Sequence, residues 1–187
     1  LEAGETEPEP HLYVVNVDGT GVRRIVPESL GGSSAAAWSP DGTELVFTVQ
    51  LDDESADLFI VELVGDGFTR ITSDQAYDGA PQFSPDGSKL VFYSDRDHAS
   101  SIVIANRNGT ARRTIVEGPA WYPRFSPDGR WIVYTAPGGS ADENDLDVFA
   151  IDVLGQSLPI RLAGGPGREA EGVWSPLPSL PVVDPLP

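Results

Sequence analysis

The chain has 187 residues, and its 29 acidic side chains outnumber the 12 basic ones to give a formal net charge of −17. A surface so negative repels a polyphosphate backbone, so nucleic acid is excluded as the expected partner. Cysteine is absent, which removes disulfides, thiolate nucleophiles and cysteine-ligated zinc.

Residues 1–10 read as an acidic tail rich in Pro and Glu. The chain starts at Leu1 and contains no methionine, as expected of a chain that lost a leader or is part of something longer. His11 to Val17 then reads as a strand, Asp18-Gly19 as a turn and Val22 to Val26 as a second strand.

From here a unit repeats. Ser39-Pro40-Asp41-Gly42 returns as Ser84-Pro85-Asp86-Gly87 and Ser126-Pro127-Asp128-Gly129, with an eroded copy at Ser175-Pro176. A period of about 45 residues is a propeller spacing. Each copy follows an aromatic residue, in order Trp38, Phe83, Phe125 and Trp174, expected to wedge between blades. Proline presets φ while Asp and Gly supply an acceptor and a permissive backbone, so the motif predicts a tight corner between two strands. Asp41, Asp86 and Asp128 are therefore read as structural, not as metal ligands or catalytic acids.

The strands after the three corners are Glu44 to Thr48, Lys89 to Tyr93 and Arg130 to Tyr134, whose Phe47, Phe92 and Tyr134 are expected in the core. Third strands follow at Asp57 to Leu63, Ser101 to Asn106 and Asp147 to Val153, and fourth strands at Phe68 to Thr72, Arg112 to Val116 and Pro159 to Ala163. Four antiparallel strands make one propeller blade. The ends complement each other: His11 to Val26 supplies a third and fourth strand, and Val173 to Pro176 a first, with Pro181 to Asp184 a poor second. Joining them closes a ring of about four blades through one composite blade, which removes exposed edges. The expected organisation is a tail over 1–10, a propeller over 11–176 and a Pro-rich tail over 177–187. No run approaches the roughly 20 apolar residues that span a bilayer.

Chemistry-bearing motifs are few. No Gly-x-Ser-x-Gly elbow occurs, and the two histidines, His11 and His98, are expected to face solvent. The acidic loops Asp52-Asp53-Glu54, Asp95 to Asp97 and Asp142 to Asp147 read as a solvated rim; Leu146 stands where an EF-hand needs a ligand. No metal and no cofactor is expected. Asn108-Gly109-Thr110 fits a glycosylation acceptor but is first a turn. What remains is a face onto which the connections between blades open. Tyr77, Trp121 and Tyr122 lie there, and strand alternation directs Gln82 and Arg124 to the central channel, in line with Ala37 and Val173. These five residues form the candidate binding mouth, because aromatics beside prolines give rigid contact area of the kind enriched at hot spots.

On its repeated hydrophobic-Ser-Pro-Asp-Gly corners the chain resembles the TolB-like β-propeller repeat family over residues 12–176. The resemblance implies an all-β fold and a non-catalytic, protein-binding scaffold, periplasmic or extracellular, serving an envelope or membrane-associated complex. The blades here number fewer than in that family, so the chain is either a small ring or an excerpt of a longer propeller. Two other functions fit the same repeats: the propeller part of a prolyl-oligopeptidase-like hydrolase, and a carbohydrate-binding propeller that stacks sugars on Trp121 and Tyr122.

Overall fold

The computed structural model describes residues 10–52, 54–65, 67–96, 100–139 and 145–164, together with Gly172 and Trp174. Its three corners form as their residue types require. Ser39 Oγ donates to Asp41 Oδ1 at 2.6 Å, and Ser84 and Ser126 donate to Asp86 and Asp128 at 2.5 Å. The same carboxylate oxygen accepts the N–H of Thr43, Ser88 or Arg130, while Gly42, Gly87 and Gly129 take left-handed φ values of 72°, 71° and 68°. Hydrogen bonds from Ser39, then Thr43, hold the Asp41 carboxyl down at about 2, and those from Ser84, then Ser88, do the same for Asp86. The corner aspartates are ionised clasps of the turn.

Each corner joins the first two strands of a four-stranded antiparallel sheet whose order follows the chain. Blade I comprises β3 (Ser33–Trp38), β4 (Glu44–Gln50), β5 (Ala56–Glu62) and β6 (Phe68–Arg70). Blade II comprises β7 (Asp78–Phe83), β8 (Lys89–Ser94), β9 (Ser101–Asn106) and β10 (Arg113–Val116). Blade III comprises β11 (Trp121–Phe125), β12 (Trp131–Pro137), β13 (Leu146–Asp152) and β14 (Ile160–Ala163). Ahead of them, β1 (Tyr13–Val14) pairs with β2 (Arg23–Arg24), a hairpin shorter than the sequence suggests. The expected all-β architecture of successive four-stranded blades is present.

The hairpin occupies the place of the outer half of a preceding blade. Its turn is built like that of β9–β10: Asn16 N donates to Thr20 O at 2.9 Å and Asn106 N to Thr110 O at 2.8 Å, with Asp18 or Asn108 clasping the threonine hydroxyl. Arg23 Nη2 reaches forward to Leu63 O in blade I at 3.0 Å, as Arg113 of β10 reaches Val153 O and Leu154 O in blade III at 2.9 and 2.6 Å. The arginine on one blade's fourth strand thus ties it to the next blade's outer turn.

Between sheets lie three apolar clusters. Val26, Leu45, Phe47 and Phe59 join the hairpin to blade I; Val46, Leu58, Phe83 and Phe92 join blades I and II; Val91, Ile104, Phe125 and Tyr134 join blades II and III. Phe47, Phe92 and Tyr134 are all buried, as their repeated position requires. The close approach of blades is clearest at Gly109, whose φ is 78° and where a Cβ would stand 2.2 Å from Ile71 O of blade I. Gly109→Ala is expected to destabilise the fold by about 1 to 3 kcal/mol, through backbone strain together with the forced parting of two blades; a thermal melt matching the parent would show that the turn does not press on blade I.

Two expectations change. Trp38 is 54% exposed, whereas its counterparts Phe83 and Phe125 are buried. Phe83 and Phe125 each rest on the inner strands of the blade before them. Before blade I only the outer hairpin stands among the described residues, so Trp38 has no sheet beneath it. The closing strands expected over Val173 to Pro176 and Pro181 to Asp184 lie outside the described residues apart from Trp174, whose Nε1 donates to Arg124 O at 3.3 Å. The tails over 1–9 and 177–187 also lie outside them.

Candidate functional site

Every first strand carries the same irregularity. The ladder slips between Ser34 and Ala37, between Gly79 and Gln82, and between Trp121 and Arg124. At the equivalent position within each slip Ala35, Ala80 and Tyr122 adopt left-handed φ values of 51°, 47° and 53°. A left-handed residue other than glycine is uncommon, and one with a bulky side chain is held only by its surroundings. Two blades use the smallest chiral residue there, and blade III uses a tyrosine.

That tyrosine completes a cluster. Tyr93 of β8 lies opposite Gly79, where a Cβ would stand 2.6 Å from its ring, so the missing side chain lets the phenol lie across β7. Tyr77 stacks on Tyr93 with centroids 6.0 Å apart, and Tyr122 meets its edge at 6.4 Å. Asp95 pins Tyr77 from two sides: its Oδ1 accepts Tyr77 N at 2.5 Å, and its own N donates to Tyr77 O at 3.1 Å. Burial pushes the Tyr93 phenol above its ordinary value, while Tyr122 is 38% exposed and Tyr77 and Trp121 are half-buried. The result is a rigid aromatic surface at the start of β7 and β11.

Gln82 and Arg124 lie elsewhere. They line a niche of about 370 Å³ with Ala37, Trp38, Trp174 and the corner prolines Pro40, Pro85 and Pro127. Gln82 Oε1 accepts Phe125 N at 2.6 Å, a bond between the first strands of blades II and III. Five residues of strand separate Gln82 from Tyr77, roughly 16 Å at the usual rise. Tyr77 thus stands away from that niche, whereas Trp121 and Tyr122 lie two to three residues from Arg124 along β11. Ala37, Gln82 and Arg124 share the lining of that niche; Val173 lies outside the described residues.

Charged groups cluster between blades I and II. Arg112 Nη1 donates to Asp74 Oδ2 at 2.6 Å and lies 3.9 Å from Asp78 Oδ2, and Arg96 pairs with the same Asp74 oxygen. Asp78 is fully buried, and that burial, only partly offset by Ser94, Thr72 and Arg112, pushes its carboxyl up to about 6. The acidic loops are less uniformly solvated than expected. Asp52 and Asp95 clasp backbone N–H groups, and Asp147 is fully buried with Oδ2 2.7 Å from Arg161 Nε. Asp53, Asp97, His98 and Asp142 to Asn144 lie outside the described residues, and His11 is half-buried, not solvent-facing. Among the described residues no three His, Asp or Glu side chains are grouped to hold a metal ion, and no helix is long and apolar enough to cross a membrane.

Sequence reasoning missed Tyr93 and Asp95, which organise the aromatic surface. A glycine near the start of a first strand, facing a tyrosine one strand away, was the available signal. The Asp74–Arg112–Asp78 network carried none, because Arg112 is more than 30 residues from the two aspartates and meets them only across the folded blade II.

Comparison with known proteins follows from this geometry. A sequence profile of the TolB beta propeller domain matches residues 5–157. An uncharacterized protein of Agrobacterium fabrum, Atu1656, is 27% identical over 173 residues, which span 88% of this chain and 58% of that protein. The uncharacterized peptidase YuxL of Bacillus subtilis is 29% identical over 58% of this chain and 18% of its own length. The crystal structure of TolB from Acinetobacter baumannii superposes with a TM-score of 0.70 at 21% identity, covering 83% of this chain and 38% of that one, a likeness of fold. The chain spans less than two thirds of each of these proteins.

Proposed function

The chain belongs to the TolB β-propeller domain family, and from that premise we propose that it is a non-catalytic scaffold that docks a protein partner outside the cytoplasm, in an envelope or membrane-associated complex. The observation that carries the reading is the tyrosine surface. Tyr122 is held in a strained backbone conformation with its ring against Tyr93, and such strain concentrates where a surface must be preorganised. Stacked Tyr77 and Tyr93 keep their rings fixed before any partner arrives, so little rotamer freedom is left to lose. Trp121 precedes Tyr122 on the same strand and adds a large aromatic to that strand end, and the extracytoplasmic setting follows the resemblance of the repeats.

Trp121→Ala and Tyr122→Ala are each expected to weaken partner binding by roughly 2 kcal/mol or more, with little change in melting temperature. The measurement is affinity capture from native extract with the parent and both variants, followed by titration of the captured protein. Normal binding together with a large loss of stability would make these aromatics core residues and end the docking proposal.

A second reading has its own support. The match to the Bacillus peptidase covers a small part of that protein, which fits a propeller that accompanies a separate catalytic domain. Intact mass of the native protein, with the reading frame around these residues, separates the two: a contiguous hydrolase domain favours the peptidase propeller.

A further inference from the structure

We propose that blade II holds a site for a small aromatic monocarboxylic acid, in a cavity of about 380 Å³ that the sister blades fill with their own side chains. Register makes the comparison direct. In blade I the row Phe47, Phe59, Arg70 crosses the sheet, the two rings stack at 6.3 Å, and Arg70 pairs with Asp57. Blade III repeats the arrangement with Tyr134, Phe149 and Arg161, rings 5.8 Å apart, and Arg161 paired with Asp147. The equivalent row of blade II is Phe92, Val103, Thr114, and Ser101 stands where the other blades have aspartate. One phenyl ring, one carboxylate and one guanidinium are missing from a single spot.

The cavity opens to solvent along Arg96, Arg113, Thr114 and Glu117, and what sets it apart is that the sister blades place their own side chains at the same spot. Its floor is Phe92 and Val103, and its walls carry the hydroxyls of Ser94, Ser101 and Thr114. The guanidinium groups of Arg96 and Arg112 line it too, in a protein where acids outnumber bases. Both arginines share one oxygen of Asp74, and Arg112 Nε donates to Gly109 O; a guanidinium carries five N–H donors, so such forks can also meet a ligand carboxylate. A bound aromatic acid would bring a ring to the place of the sister blades' second aromatic, over Val103, and a carboxylate to face guanidinium. Glu117, the acidic side chain in the lining, disfavours a second negative charge. Phe92 and Ser94 alternate with Tyr93 along β8, so this cavity and the tyrosine surface open on opposite faces of one blade.

Benzoate, benzyl alcohol and benzamidine serve as anionic, neutral and cationic probes of one shape, titrated against the whole chain by ligand-observed NMR. Benzoate is expected to bind at least about tenfold tighter than either, the difference a charge-assisted hydrogen bond supplies. Val103→Phe puts back the sister blades' ring and is expected to weaken benzoate about tenfold or more while the protein stays folded. Should that variant fail to fold, Ser101→Asp restores their carboxylate instead and is expected to repel benzoate to a similar degree. No benzoate binding at millimolar concentration, equal affinity for the three probes, or parent-like binding by the folded variant would each overturn the proposal.

Discussion

Phe92→Ala is expected to lower the free energy of unfolding by about 3 to 5 kcal/mol, toward the upper end of what deleting a buried aromatic costs. Phe92 is 1% exposed and packs with Val46, Leu58, Ile60 and Phe83, so its ring belongs to the joint between blades I and II as much as to its own sheet. The cost of a truncation grows with the space left behind, because neighbours relax only in part. Here the deleted ring also floors the cavity of about 380 Å³, so the new space merges with an existing one instead of closing. Phe47→Ala offers the control. Its ring is equally buried but stacks on Phe59 and touches Phe68 at 5.7 Å, neighbours large enough to lean into the gap. Urea melts should therefore rank Phe92→Ala as the more damaging change, and a loss below about 1 kcal/mol would place its ring outside the core.

The fold was largely legible because a repeated sequence reports its own register. A corner built from Ser, Pro, Asp and Gly has one economical backbone solution, and three copies of it placed the second, third and fourth strand of each blade within about three residues of where they stand. The hairpin β1–β2 was legible for the same reason, since its Asp-Gly turn reproduces the Asn-Gly turn of blade II. Trp38 was misjudged because a wedge position is buried by the preceding blade, a fact that lies outside the strand carrying it. The candidate site was legible in part. Aromatics between prolines marked Trp121 and Tyr122, and Tyr77 came with them, while Gln82 and Arg124 line a niche with the corner prolines. The left-handed bulge that aims Tyr122 at Tyr93 has no sequence signature in blade III, where glycine or alanine would be the easy choice.

Asp78→Asn is expected to stabilise the protein at neutral pH by about 3 kcal/mol, the equivalent of a carboxyl pushed from its ordinary 3.8 up to about 6. The cause is burial: Asp78 is 0% exposed between blades I and II, and neither carboxylate oxygen has a well-formed hydrogen bond. Arg112, at 3.9 Å, favours the charge, but it is engaged more closely by Asp74, whose own negative charge pushes the Asp78 carboxyl further up. Between pH 3.8 and about 6 the folded protein keeps a proton on Asp78 that the unfolded chain releases. Stability therefore falls as pH rises through that window, and the full penalty remains above it. The corner carboxyls of Asp41 and Asp86, held down at about 2, act in the opposite sense, since their contribution is lost as pH falls from 3.8 toward 2. The term due to Asp78 is therefore isolated only by comparing parent and variant. Urea melts at a series of pH values should show the two proteins nearly equal below about pH 4 and separating until about pH 6. If Asp78→Asn is instead the less stable protein at pH 7, the ionised carboxylate is a working partner of Arg112, and that ion pair ties the first strand of blade II to the entry of its fourth despite its depth.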